Sequence, residues 1–203
     1  MISFDFETKS YADLKKVGAW AYSEDPTTDA ICYAYGTDDR TIRGCIDMSM
    51  PSDLKSDVKN GYLVEAHNVA FERSIWANVM VPKYGWVMPD DEQWRDSMAT
   101  AAYYALPMAL DRLSRVLGFE GKNPAGTRLI SKYSKLHLKT AKTEIPEDDL
   151  KLFVEYCVDD VKLEQAVSDY LGDLPERELP VFQLDQKINV RGIYLDVEGI
   201  NAA

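Results

Sequence analysis

Met1-Ile2-Ser3-Phe4-Asp5-Phe6-Glu7-Thr8 is the stretch on which the reading of the fold turns. Apolar Ile2, Phe4 and Phe6 alternate with polar residues, which is the period of a half-buried β-strand. Alternation puts Asp5 and Glu7 on one face and the two phenylalanines on the other, where they anchor the strand. Two carboxylates held side by side repel each other unless a cation lies between them. A divalent metal is the simplest such cation, although a strand end with solvated acids would give the same pattern.

Outward from this strand, Ala30–Tyr35 and Thr41–Ile46 read as two further strands, with Gly36-Thr37-Asp38-Asp39 as the turn of an antiparallel hairpin. Tyr62–Ala66 is another short apolar run. A helix is expected from near Asn68 through Phe71, Ile75, Trp76 and Val79, limited by Pro82. Asp96–Ala105 and Ala109–Leu117 read as helices, separated at Leu106-Pro107 and stopped at Gly118. Gly121–Thr143 has no clear periodicity and reads as a loop-rich insertion. Pro146 opens a long helix in which Leu150, Phe153, Val154, Cys157, Val158, Val161 and Ala166 recur at helical spacing, ending near Gly172. A further helix follows Pro175, then a turn at Asn189–Gly192 and a short strand at Ile193–Leu195. Early strands with helices between and after them predict an α/β fold, a mixed sheet flanked by helices.

The long helix carries a second pair. Tyr156 and Asp160 are four residues apart and share one helix face. A tyrosine hydroxyl is protonated near neutrality, so it is suited to orienting a water rather than deprotonating it. Between strand and helix lies His67-Asn68-Val69-Ala70-Phe71-Glu72. Asn68 suits an N-cap, Phe71 reads as core, and Glu72 stands one turn into its helix. Each feature alone is unremarkable.

Taken in order, the three segments resemble the proofreading 3′→5′ exonucleases of the DEDD superfamily, tyrosine subgroup, as found in family A DNA polymerases of bacteriophages. The motifs are Asp5-Phe6-Glu7-Thr8, Asn68-Val69-Ala70-Phe71-Glu72 and Tyr156-Cys157-Val158-Asp159-Asp160. Trp94–Met98 and the segment from Leu106-Pro107 to Leu117-Gly118 also look like the helical part between the second and third motifs. The resemblance implies an RNase H-like mixed β-sheet flanked by α-helices. It implies an exonuclease domain over residues 1–174, then a C-terminal helix and the start of a truncated polymerase-like region over 175–203. It departs from the family at Glu72, where aspartate is usual; the added methylene bears on rate and metal preference.

The resemblance further implies catalytic roles for Asp5, Glu7, Glu72, Tyr156 and Asp160, with two divalent ions, Mg²⁺ or Mn²⁺, as cofactors. Asp5 would bridge both ions, Glu7 and Asp160 would complete one site, and Glu72 would support the other. Tyr156 would position the attacking water. The product would be a nucleoside monophosphate released from the 3′ end of single-stranded or frayed DNA, in proofreading for a DNA polymerase. An RNA-directed exonuclease of the same superfamily and a catalytically silent DNA-binding module of a polymerase are the alternatives. Candidate DNA contacts are Thr8, His67, Asn68 and Phe71, with His67 open between a structural and a substrate-side role. A polymerase domain in the same full-length chain is the expected partner.

Charge and composition do not argue against this. The chain has 203 residues, 46% of them hydrophobic, which is enough for a substantial core. Its net charge of −11 argues against a nucleic-acid coat protein but suits a metal-dependent nuclease, which must concentrate carboxylates. From Gly121 to Thr143 the bias reverses: Lys122, Arg128, Lys132, Lys135, Lys139 and Lys142 occur without an acid, with Tyr133 and His137 among them. Arg128, Lys132, Lys135 and Lys139 are therefore candidate phosphate contacts, with a merely solvated loop as the competing reading. Cys32, Cys45 and Cys157 lack metal-ligand spacing and read as free thiols. There is no signal peptide or membrane-spanning run, so an intracellular location is expected, in the cytoplasm of a bacterial or phage-infected cell.

Overall fold

The computed structural model describes residues 1–37 and 41–202. Its elements are β1 (Ile2–Lys9), α1 (Leu14–Glu24), β2 (Asp29–Gly36), β3 (Ile42–Cys45), α2 (Ser52–Lys59), β4 (Val64–Ala66), α3 (Val69–Ile75), α4 (Val81–Tyr84), β5 (Trp94–Asp96), α5 (Ser97–Tyr103), α6 (Leu110–Val116), α7 (Ala125–Leu129), α8 (Glu147–Leu171), α9 (Leu179–Arg191) and α10 (Val197–Ala202). They fall into two compact units, Met1–Asp173 and Leu174–Ala203, the second holding α9 and α10. Among the described residues, no helix is long and apolar enough to cross a membrane.

The five strands form one mixed sheet in the order β3-β2-β1-β4-β5. β1 pairs antiparallel with β2, and β2 with β3. β1 with β4 and β4 with β5 are parallel. This is the α/β fold, consistent with an RNase H-like architecture, that the strand and helix pattern predicts.

Each face of the sheet has its own chemistry. Phe4 and Phe6 on β1 lie opposite Tyr35 and Tyr33 on β2, and these rings cluster with Trp76 and Trp86 at centroid distances of 4.5–6.3 Å. Trp94 on β5 joins through Trp76. Aromatic rings bury much apolar area and hold fixed edge-to-face geometries. On the opposite face β2 presents Cys32 and Ala34, and α8 packs there with Phe153, Cys157 and Val161. Small strand residues allow that helix to approach closely. A Cβ at Gly44 would collide with Val154 of α8, so glycine is required on β3 for the contact.

α8 itself is well specified. Pro146 precedes it, Glu147, Asp148 and Asp149 occupy its first turn, and Gly172 ends it with φ 69°. Acids at a helix N-terminus complement the helix dipole, and glycine adopts a left-handed backbone at little cost.

Several sequence expectations need correction. Pro82 does not end the third helix. The chain stays helical from Val69 to Tyr84 through a π-helical stretch at Trp76–Met80, and Pro82 follows that stretch at the start of α4. Gly85 ends it instead. Gly121–Thr143 is not simply a loop: α7 and a π-helical turn at Ile130–Ser134 lie within it. These elements are too short to show a period. Trp94–Asp96 is a strand rather than the start of a helix, and Ile193–Leu195 forms no strand. α1 and α2 carried no recognised signal. The expected hairpin pairs as β2–β3, but Asp38 and Asp39 of its turn lie outside the described residues.

Trp76 is fully buried at the centre of the aromatic face and donates its indole N–H to the Val87 carbonyl at 3.0 Å. Trp76→Ala should therefore cost about 3–5 kcal/mol, read as a lowered urea midpoint with an unchanged slope.

Candidate active site

The α8 face of β1 meets the middle of α8 in an acidic cluster. Asp5, Glu7 and Asp160 each place a carboxylate oxygen so that all three lie within 4.8 Å of one another. β1 supplies two acids by alternation, and α8 supplies the third from one turn beyond Tyr156. Cys157 fixes the meeting point: its thiol contacts the Asp5 carbonyl at 3.4 Å and the Asp5 carboxylate at 3.1 Å. A bulge follows at once, with Glu7 opposite Cys32 and Thr8 opposite Ala30, leaving Ile31 as the extra residue. Bulges re-aim side chains at the ends of paired strands.

A cavity of about 500 Å³ opens on the cluster. Asp5, Glu7, Glu72, Tyr156 and Asp160 all line it, as do Thr8, His67, Asn68, Phe71 and Lys135. Residues drawn from four separated segments thus converge on one space. Glu72 is buried and its Oε2 has no hydrogen-bond partner among the described residues. It stands outside the tight three-acid group. Arg128, Lys132 and Lys139 do not line the cavity. Lys132 is engaged elsewhere, 2.7 Å from Asp149 and stacked over Tyr133.

The electrostatics follow from burial. Asp5 is pushed up to about 7, first by burial and then by repulsion from Asp160, with Lys122 and the Cys157 thiol opposing. Burial and the Asp5 charge push Glu7 and Glu72 well above the carboxylate range. Asp160 is raised by burial but held back by Lys122. Burial and the neighbouring Asp160 raise Tyr156, so its phenol stays protonated and donates. Burial lowers His67 and keeps its imidazole neutral. Crowded carboxylates of this kind are favoured in their ionised form by nearby positive charge. Hard oxygen donors of this kind, with the unpartnered Glu72 oxygen beside them, fit Mg²⁺ or Mn²⁺.

Sequence reasoning missed several supporting residues. Asn68 occupies the N-cap position of α3, but its side chain does not cap. Its backbone is left-handed, φ 75°. Asp96 does the holding, accepting from the Asn68 N–H at 2.9 Å and from the Met98 N–H at 2.8 Å. One carboxylate thus serves the starts of both α3 and α5. His67 is clamped by Ser97 at 2.9 Å and the Met108 carbonyl at 2.8 Å. The Thr8 hydroxyl bonds Tyr22 at 2.9 Å. Lys135 reaches the cavity because its segment is tied to the end of β1: Ser10 N–H donates to the Ser134 carbonyl at 3.0 Å, and Leu136 N–H to the Ser10 carbonyl at 2.9 Å. Lys122, counted among the basic residues of the insertion, enters the acid cluster itself, 2.6 Å from Asp160. Its place at the edge of an acid-free stretch gave no hint of this.

Comparison with known proteins adds one finding. The chain is similar to a phage DNA polymerase. It is 28% identical over 218 residues to the DNA polymerase of Bacillus phage SP02, across its full length, and spans 33% of that protein. No model of a known protein family matches.

Behind the cluster, Glu65 on β4 and Glu164 on α8 are both buried, each with one oxygen lacking a partner among the described residues. Glu65 is pushed from 4.5 up to about 7 by burial, against a hydrogen bond from Ser168. A carboxyl raised in the folded state gives stability that is complete below about pH 4.5 and is lost as pH rises through about 7. Glu65→Gln, which mimics the protonated acid, should therefore stabilise the metal-free protein near pH 8 by up to about 3 kcal/mol. It should change little near pH 4. Thermal melts in EDTA at both pH values measure the difference.

Proposed function

We propose that this chain is a 3′→5′ exonuclease domain that hydrolyses the terminal phosphodiester of single-stranded or frayed DNA, in proofreading for a DNA polymerase. The observation that carries the reading is the convergence of Asp5 and Glu7 from β1 with Tyr156 and Asp160 from α8, and Glu72 from α3, on one cavity. Similarity to a phage DNA polymerase supports DNA as the substrate, and the share of that polymerase left uncovered is consistent with a polymerase region in the same full-length protein.

Asp5, Glu7 and Asp160, with Glu72 beside them, would hold two divalent cations. Such cations supply a water activated at neutral pH and charge stabilisation for the departing 3′ oxygen. The protein's own groups do the rest. Tyr156, kept protonated, hydrogen-bonds the attacking water and so orients it without acting as its base. Phe71, Leu14, Ile130 and Leu138 give the cavity an apolar wall for the terminal base. Asn68 and the neutral His67 offer it polar contacts. Of the four candidate phosphate contacts, Lys135 is the best placed, ahead of Lys132, Arg128 and Lys139. Unpairing a duplex end costs a few kcal/mol, less where the terminal base is mismatched, so frayed ends enter the site more readily.

Digestion of a 5′-labelled single strand tests the reading. Mg²⁺ or Mn²⁺ should give stepwise shortening and mononucleotide release, EDTA should stop both, and Asp5→Ala or Asp160→Ala should lower the rate by at least about a thousandfold, on the scale of other losses at catalytic groups. Full hydrolysis by Asp5→Ala would refute the assignment, and digestion of RNA alone would redirect it to RNA. Lys135→Gln should weaken single-strand binding and reduce its salt slope by about one. Lys132→Gln should leave binding nearly unchanged in the same fluorescence titration.

A further inference from the structure

Lys122 is fixed by its backbone before its side chain does anything. Its N–H donates to the Asp111 carboxylate at 2.9 Å, and Asp111 is gripped by Arg115 at 3.1–3.3 Å. Gly121 lies so close to this pair that a Cβ there would strike both side chains. From that fixed point the Lys122 stem runs inward. Its ammonium stands 2.6 Å from Asp160 Oδ2 and 5.8 Å from the centre of the Tyr156 ring. The Asp160 side chain is 5% exposed and that of Lys122 33%. Both residues also line a second cavity of about 560 Å³, bounded by Phe119, Pro124, Asp159 and Leu163, so the ion pair stands between two spaces.

A largely buried carboxylate trio needs a counter-charge, and breaking a buried pair is costly because it strands the remaining charge. Among the described residues, Lys122 meets that need. It also contacts an oxygen of the acid assigned above to the metal. Two cations on one carboxylate, in a site of low effective dielectric, repel each other strongly.

We propose that Lys122 is a resident counter-cation that competes with the divalent metal for Asp160, holding the acid cluster together without metal and yielding that carboxylate when metal binds. This rests on Asp5, Glu7 and Asp160 forming the metal site proposed above. Lys122 is thus a positioning residue that sets the metal concentration at which the site fills.

Mn²⁺ binding without DNA, followed by the loss of the free-ion electron paramagnetic resonance signal, tests it on the 203-residue chain. Lys122→Met keeps the apolar stem and removes the charge. It should bind Mn²⁺ at least about tenfold more tightly than wild type, equivalent to about 1.4 kcal/mol, while Lys122→Arg stays close to wild type. In EDTA, Lys122→Met should melt lower than wild type, and added Mn²⁺ should raise its melting temperature by more. Should Lys122→Met fail to fold without metal, Asp111→Ala releases the lysine backbone and keeps the ammonium, and should tighten Mn²⁺ binding a few-fold. Measurable binding that is equal or weaker in the folded variant overturns the competition and leaves the metal site standing. Absence of Mn²⁺ binding in wild type and variant alike overturns both.

Discussion

Repulsion among Asp5, Glu7 and Asp160 is the constraint to which the surrounding structure answers. Three carboxylates within 4.8 Å of one another, backed by a sheet and a helix, cannot all ionise without a cation among them. The chain meets this in layers. Lys122 enters from the insertion, the Cys157 thiol contacts the Asp5 carboxylate, and the Tyr156 phenol hydrogen-bonds Asp160. None of these supplies as much charge as a divalent ion would.

The rigidity needed to hold such a cluster comes from the opposite side of the sheet. Phe4 and Phe6 are the intervening residues of the same strand, so the aromatic packing around Trp76 also fixes the direction in which Asp5 and Glu7 point. Core and site are two faces of one eight-residue strand. On the substrate side, restraint is more local and more polar: Asp96 pins the turn that carries Asn68, Ser97 clamps His67, and Tyr22 holds Thr8.

Much of this was legible because it rests on period. Two-residue alternation placed Asp5 and Glu7 together, four-residue spacing placed Tyr156 with Asp160, and Pro146 and Gly172 bracketed α8 to within a residue. What stayed hidden depends on contacts between distant segments. Nothing near Lys122 announces an acid 38 residues away. Nothing near Asp96 shows that it caps a helix beginning 27 residues before it. Lys132 and Lys135 look equivalent in sequence, yet the first is spent on Asp149 and the second faces the cavity. Pro82 misled because the helical chain runs on past it, a π-helical stretch leading directly into the short helix that holds it.

Helix α8 is flanked by two residues without side chains. Gly44 lies beneath it on β3, and Gly126 of α7 lies against the Tyr156 ring, where a Cβ would overlap the aromatic carbons. The insertion and the sheet are therefore both shimmed against the same helix, and neither has slack to give. A relative could retain every acid, the lysine and the phenol, and still be thrown out of alignment by one methyl group at either glycine. For anyone grafting this constellation onto another scaffold, these two hydrogens at Cα are as much a part of the blueprint as the carboxylates.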